Sequence, residues 1–311
     1  VSEIELPASL DLLDVAGNGA ACERYLWIRG LSDRELTPKA RIDLIDDLQR
    51  IPGELLHLTS TNGSLAATTV IVRDGAGGGS CYLSVFTRND PGKPLLGDVV
   101  QLACERARAG GVDDVRCIDG VDRPHIIALQ ERHGFRAHDQ WRRFHLDIAR
   151  DAVDGPELPV GMQASTLAER GDLATDAYRV LREALEETTG AGPRPDETLD
   201  TWLRDTDGSP VRSRALVLVL HIDNDVRAVA ELERVAMGSD HGWLDMLAVD
   251  RAYRGTGIGA LAKQHAEALA SRSGLRRLQT MNHAGNDVIC RLNERLGWIE
   301  DPVRIELRLP I

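Results

Sequence analysis

The heptapeptide Leu129-Gln130-Glu131-Arg132-His133-Gly134-Phe135 is written again as Leu292-Asn293-Glu294-Arg295-Leu296-Gly297-Trp298, 163 residues further on. The same offset, without a gap, aligns Gly92 with Gly255, Leu95 with Ile258, Gly111 with Gly274 and Val115 with Leu278. It also aligns Ile126 with Ile289, Leu146 with Leu309 and Ile148 with Ile311. Chance rarely holds one register over about sixty residues, so the chain reads as a tandem duplication. Its 311 residues suit two domains of roughly 150 each. The stretch Asp151–Pro159 carries Gly155, Pro156 and Pro159 and marks the join. The expected division is a first domain over 1–150, a linker over 151–158 and a second domain over 159–311.

In the second copy, Val160–Thr166 reads as a strand and Leu173–Leu185 as a helix with apolar residues at every third or fourth position. A Gly/Pro loop at Thr188–Pro195 leads to a short helix over Asp196–Leu203, capped by Asp196 or a neighbour. Ala215–Ile222 and Val226–Val235 form a hairpin about Asp223-Asn224-Asp225. Strands follow at Trp243–Val249, Arg277–Met281 and Ile305–Leu309, with helices at Ile258–Ser271 and Asp287–Leu296. The order β-α-α-β-β-β-α-β-α-β is α+β (mixed α/β), not a doubly wound alternation. Each copy is expected to be a mixed, mostly antiparallel sheet flanked by helices.

Charge and cysteine narrow the partners. A net charge of -12 disfavours nucleic acid, whose backbone needs a basic face, and favours a cationic substrate. An acidic surface also serves solubility alone. The longest apolar run, Ala215–Leu220, is far too short to cross a membrane. Val1–Leu10 holds two acids and no base, so no targeting peptide is expected there. The five cysteines (Cys22, Cys81, Cys104, Cys117, Cys290) are odd in number and form no C-x-x-C pair. Neither structural disulfides nor a zinc site is expected, and a cytoplasmic home is.

The sharpest local signal is Arg254-Gly255-Thr256-Gly257-Ile258-Gly259-Ala260, between a strand and a helix. Glycines there let the backbone approach a bound group, and the first helical amides point at an anion with the helix dipole behind them. A pyrophosphate is the natural guest. Gly255-x-Gly257-x-x-Ala260 formally matches a dinucleotide fingerprint, but that reading wants an early βαβ unit and a ribose-binding acid about twenty residues on. The following strand ends instead at Thr280-Met281-Asn282.

Arg254, Gly257 and Gly259 also match an R-x-x-G-x-G/A loop. With the lead-in Ala248-Val249-Asp250-x-x-Tyr253-Arg254-Gly255 and the closing Asn286-(x6)-Asn293-(x3)-Gly297-Trp298, the second copy resembles the GCN5-related N-acetyltransferase (GNAT) superfamily. The two-copy layout is similar to that of its tandem members, mycothiol synthase among them. The resemblance implies a sheet splayed between its fourth and fifth strands, with acetyl-CoA as donor and CoA as product. It implies that amides of Gly255, Thr256, Gly257, Ile258, Gly259 and Ala260 hold the pyrophosphate, beside Arg254. Backbone groups of Leu247, Ala248 and Val249 would pair with the pantetheine arm and polarise the thioester carbonyl. Asn282 and Asn286 join the cofactor set. Asn286 and Asn293 are seven apart and are expected on one helix face. Asn293 stands where the family usually has a tyrosine that returns a proton to the thiolate; an amide can donate a hydrogen bond but not that proton.

The acceptor must be a neutral amine. At pH 7 only ~1 in 2,500 lysine-like amines is uncharged, worth about 4.6 kcal/mol, so a general base helps. The family places such bases four or six residues before Val249, here Asp245 and Trp243. Simple alternation puts Asp245 on the face of Leu247 and Val249. A normal aspartate is a weak base, so burial or a bridging water is implied. Glu231 and Glu233 share a face of the preceding strand and are the rivals. His241 reads as a turn residue and His265 as packing. Glu183, Glu186, Glu187, Asp196, Glu197, Asp200, Asp205 and Asp207 crowd the helix pair that should cover the acceptor; they read equally as an amine-binding lid or a solvated face.

In the first copy the loop becomes Pro91-Gly92-Lys93-Pro94-Leu95-Leu96. Pro94 has no N–H to give and Leu96 fills approach space. Asn286 is matched by Arg123, Asn293 by Gln130 and Asp245 by Tyr82. The first domain is therefore expected to be a degenerate copy. The leading expectation is a small-molecule amine acetyltransferase acting in the second copy, by direct transfer and without a metal. A monomer whose two domains act as a pseudo-dimer is expected, with neither nucleic acid nor membrane as a partner. A non-catalytic acyl-CoA-binding regulatory module and a mycothiol-synthase-like acylation of a cysteinyl amine are the alternatives.

Overall fold

The computed structural model describes residues 10–12, 54–60, 65–74, 78–87, 111–149, 154–187, 198–209, 211–235 and 239–311, with scattered positions between 97 and 109. The strands are β1 (Leu10–Leu12), β2 (Glu54–Ser60), β3 (Leu65–Asp74), β4 (Gly78–Thr87), β5 (Asp114–Gly120), β6 (Arg136–Asp147), β7 (Met162–Thr166), β8 (Val217–Ile222), β9 (Asp225–Arg234), β10 (His241–Val249), β11 (Arg277–His283), β12 (Ile299–Glu300) and β13 (Arg304–Pro310). The helices with complete bounds are α1 (Pro124–Arg132), α2 (Ala174–Glu187), α3 (Leu199–Gly208), α4 (Ile258–Arg272) and α5 (Asp287–Arg295). Among the described residues no helix is long and apolar enough to cross a membrane.

The repeat is visible in the element bounds. Shifting β5 and α1 by the sequence offset lands on the bounds of β11 and α5. The left-handed glycines Gly111 and Gly134 recur as Gly274 and Gly297. The expected second-copy elements all form, in the expected order.

The chain divides into two compact units: Val1–Trp141 with Pro302–Ile311, and Arg142–Asp301. In the first, β1, β2, β3 and β4 are antiparallel neighbours and β4 meets β5 in parallel. The strand completing this sheet is the last of the chain: β13 pairs antiparallel with β5 and with the start of β6. The end of β6 belongs to the second unit, beside β11 and paired with β12. The first unit thus contains the closing strand of the second copy, and the second unit contains the end of the first copy's closing strand.

In the second unit β7, β8, β9 and β10 form an antiparallel run, and β10 meets β11 in parallel. Val217–Leu220 are buried throughout, because helices cover both faces. Leu218, Ala230, Leu232, Leu244 and Leu278 pack with Ala266, Leu269 and Cys290 of α4 and α5. Val217, Val219, Val229 and Ala248 pack with Ala177, Val180 and Leu181 of α2 and Trp202 of α3. Each fully buried Val or Leu contributes about 1.5–3 kcal/mol, so α2 and α4 are held chiefly by these two apolar layers. The cap of α3 is Thr198, which exchanges hydrogen bonds with Thr201 in a capping box.

Candidate active site

The site begins where β10 leaves β11. The two strands pair only through His241/Arg277, Gly242/Leu278 and Trp243/Gln279. On its other side β10 stays paired with β9 as far as Val249. The stretch Met246–Val249 therefore keeps one edge that β11 does not cover, and Leu247, Ala248 and Val249 lie on it.

β10 carries a β-bulge. Leu244 pairs with Leu232 and Met246 with Glu231, leaving Asp245 as the extra residue. Leu244 and Leu247 consequently face the same apolar layer, although residues three apart in a regular strand face opposite ways. The bulge corrects the expectation that Asp245 shares the face of Leu247 and Val249. Asp245 lies instead with Glu231 and Glu233, around a small void also lined by Thr206 of α3 and Arg212. Burial is not its environment either: Asp245 is exposed. The first unit lacks this device, since β3 and β4 pair without a register shift from Leu65/Thr87 to Asp74/Gly78.

The acids have partners. Arg212 gives Nε to Glu233 Oε2 at 2.7 Å and Nη2 to Asp245 Oδ2 at 3.3 Å. Burial works against the Arg212 charge, but Glu233 and Asp245 more than offset it and raise its pKa. Glu231 Oε1 accepts the indole N–H of Trp202 at 2.8 Å, and Trp202 rests beside Tyr178. Sequence reasoning missed Arg212 and Trp202. Arg212 lies on an irregular connection with no periodicity to flag it, and nothing in the spacing around Trp202 ties it to Glu231.

After β10 a single helical turn, Arg251–Tyr253, is capped by the Asp250 carboxylate. Then comes the glycine loop. Gly255 has φ 78° and Gly257, at the start of α4, has φ 93°, a left-handed conformation that a side chain disfavours. Ala260 and Leu261 give their amides to the Gly257 carbonyl. Among the described residues no acceptor meets the amides of Thr256, Gly257, Ile258 or Gly259. A Cβ added at Gly255 or Gly257 would meet nothing within 4 Å, so the space in front of these amides is open. Unpaired amides, a helix N-terminus and open approach suit a diphosphate. Arg254 is partly committed: Nε donates to the Val249 carbonyl at 3.0 Å and Nη1 pairs with Glu187, which also holds Arg251. These bonds tie the loop to the end of β10, and the two guanidinium groups hold the Glu187 carboxyl below its ordinary range.

Asn286 and Asn293 do not share an environment. Asn286 is exposed and caps α5, its Oδ1 accepting from the Ile289 amide. Asn293 is 0% exposed. Its Nδ2 donates to Asn282 Oδ1 at 2.9 Å, and its own Oδ1 has no partner. The first unit repeats this pair: Gln130, also 0% exposed, gives Nε2 to Asp119 at 2.7 Å and leaves Oε1 unpartnered.

His265 packs as expected, with Nε2 2.9 Å from the Pro156 carbonyl. Much of the acidic helix face is ion-paired: Glu183 with Arg179, Glu186 with Arg182, Asp205 with Arg204 and Asp207 with Arg214. Asp196 and Glu197 lie outside the described residues, as do Pro91–Leu96, the counterpart of the glycine loop. A roomier cleft of about 350 Å³, between Leu146, Ile148, Pro156 and the Gln264 and Glu267 face of α4, shares no residue with the loop or with β10.

Residues 177–298 match the acetyltransferase (GNAT) family model. No curated protein matches. Among solved structures, a GCN5-related N-acetyltransferase from Sphaerobacter thermophilus is 19% identical, with a TM-score of 0.69 over 98% of this chain and 96% of its own. A tandem GNAT protein from the clavulanic acid biosynthesis pathway is 16% identical, with a TM-score of 0.71 over 97% and 98%. Saccharomyces cerevisiae N-myristoyltransferase with bound myristoyl-CoA is 10% identical, with a TM-score of 0.62 over 98% and 84%. The fold of these tandem GNAT structures is thereby shown along the chain, and residues 177–298 are similar to the acetyltransferase (GNAT) family.

Proposed function

We propose that the second unit transfers an acetyl group from acetyl-CoA directly to the amine of a small molecule, and that the first unit does not take up acetyl-CoA. The observation that carries this reading is the row of unpartnered amides opening α4, next to the uncovered edge of β10. When bound, acetyl-CoA supplies the acyl group as a thioester.

The amides from Thr256 to Gly259 and the dipole of α4 hold the diphosphate, with Gly255 and Ala260 shaping the turn. The edge at Leu247, Ala248 and Val249 orients the pantetheine arm as an added strand, and an N–H there stabilises negative charge on the carbonyl oxygen. Glu231 removes the proton from the attacking amine. It lies opposite Met246, on the part of β10 that β11 has left, and its Oε1 accepts from the Trp202 indole, whereas Glu233 and Asp245 are ion-paired with Arg212. Asn282 and Asn293 bind each other, so the Asn293 amide fixes α5 on β11 while water returns the proton to the thiolate.

Calorimetric titration tests the reading, with one acetyl-CoA per chain expected. A stoichiometry near two, or no binding at saturation, overturns it. Thiol release against a panel of amines tests the chemistry: tight acetyl-CoA binding with no transfer to any amine would identify a binding module instead.

A further inference from the structure

Glu187 is the last residue of α2, and its place is set from within that helix. Ala177, Val180 and Leu181 bury the inner face of α2, and Arg179 ties the helix to Asp250 at 2.9 Å. Glu187 reaches from there to the turn that leads into the glycine loop. One of its oxygens accepts from Arg251 and the other from Arg254. Arg254 also gives Nε to the Val249 carbonyl at 3.0 Å. Its guanidinium is thus anchored to the end of β10 on one side and engaged by a carboxylate on the other. Two residues further on begin the amides, Thr256 to Gly259, that meet no acceptor among the described residues.

Arginine takes carboxylate and phosphate in the same forked geometry, so Glu187 presents to Arg254 what a phosphate would present. Two anions drawn to one guanidinium repel each other. Glu187, Arg251 and Arg254 are all exposed, and exposed ion pairs are weak enough to exchange. The neighbouring acids have other partners: Glu183 pairs with Arg179, Glu186 with Arg182, and Asp250 with Arg179 and the Ala252 amide. The contact accompanies the loop suited to a diphosphate, since the sequence offset matches Arg254 to Pro91, which has no charge to offer.

We propose that Glu187 is a built-in competitor of the donor's diphosphate: it holds Arg254 in the free unit and gives that guanidinium up when acetyl-CoA binds. This rests on reading the glycine loop as the acetyl-CoA site. The diphosphate is the same before and after transfer, so Glu187 weakens acetyl-CoA and CoA alike. Its return to Arg254 speeds the departure of CoA.

The test compares the full chain with Glu187→Gln, which keeps the shape of the side chain and removes its charge. The Kd of acetyl-CoA, read by calorimetry, falls about threefold in Glu187→Gln, and stopped-flow displacement shows CoA leaving about threefold more slowly. Screening removes most of that gain at about 0.5 M KCl. Affinity that is unchanged or weaker in Glu187→Gln overturns the proposal, as does a gain that salt leaves intact. Dephospho-CoA, which lacks the ribose phosphate, locates the contest: it shows the same gain if the diphosphate is the rival, and a gain confined to CoA overturns that. Inorganic pyrophosphate separates this claim from the reading of the loop. If acetyl-CoA binds neither protein, that reading falls, while the pyrophosphate titration still judges Glu187. Tighter pyrophosphate binding to Glu187→Gln than to wild type supports the competition, and equal, weaker or absent binding overturns it.

Discussion

Replacing Gly257 by alanine separates what the loop does for folding from what it does for ligand. In the free protein the new methyl group meets no atom within 4 Å, so there is no clash to relieve. The cost is conformational: at φ 93° a non-glycine residue loses about 1–2 kcal/mol. For a unit of this size that corresponds to a Tm lowered by roughly 2–8 °C. The ligand term is larger. The methyl group stands in the open approach to the amides, and misaligning two charge-assisted hydrogen bonds of roughly 1.5–3 kcal/mol each removes about 3–6 kcal/mol. Acetyl-CoA affinity should fall by about two to four orders of magnitude. Proline is a poorer probe, because its φ near −65° is incompatible with +93° and would disturb the start of α4 itself. Calorimetry and thermal unfolding on the same sample read both terms. Acetyl-CoA binding within twofold of wild type, in a variant with the expected loss of stability, would refute the assignment of this loop.

Glu231→Gln should lower kcat by about 10²–10⁴ and abolish the acidic limb of the pH–rate profile, whereas Asp245→Asn should keep that limb; the reverse pattern would move the base to Asp245. Lys263, 1% exposed, lies 3.6 Å from the centre of the Trp298 ring, and burial pulls its pKa down to about 7 against the opposing charge of Glu267. Between about 7 and the ordinary 10.5 the unfolded chain carries a proton that the folded chain lacks, so this group makes stability rise with pH across that window. Denaturation midpoints should show wild type gaining on Lys263→Met from pH 7 to pH 10, and a constant difference would show that Lys263 does not titrate there.

The repeat made the elements legible, because two copies of one pattern state the same boundaries twice. The same redundancy hid the exchange of closing strands. Leu146 and Ile148 match Leu309 and Ile311, and an alternating strand records that one face is buried without recording which sheet buries it. The bulge at Asp245 was hidden for a related reason: alternation assumes a strict period of two, and one extra residue reverses every side chain before it relative to those after it. The glycine loop was plain because its chemistry is local: consecutive residues, a helix start and backbone amides. Arg212 was invisible because its role depends on two strands that meet it only after folding.

Asn293 shows how the repeat informs chemistry. In the second copy alone, an amide at the family's tyrosine position reads as a weakened proton donor. The first copy has Pro94 and Leu96 where the loop has Gly257 and Gly259, yet it still buries Gln130 at the equivalent place and joins it to Asp119, as Asn293 is joined to Asn282. Acid catalysis would be needed only in the unit that transfers an acyl group. A buried polar tie between the helix and the strand before it serves both units alike, and its presence in both favours that role for Asn293.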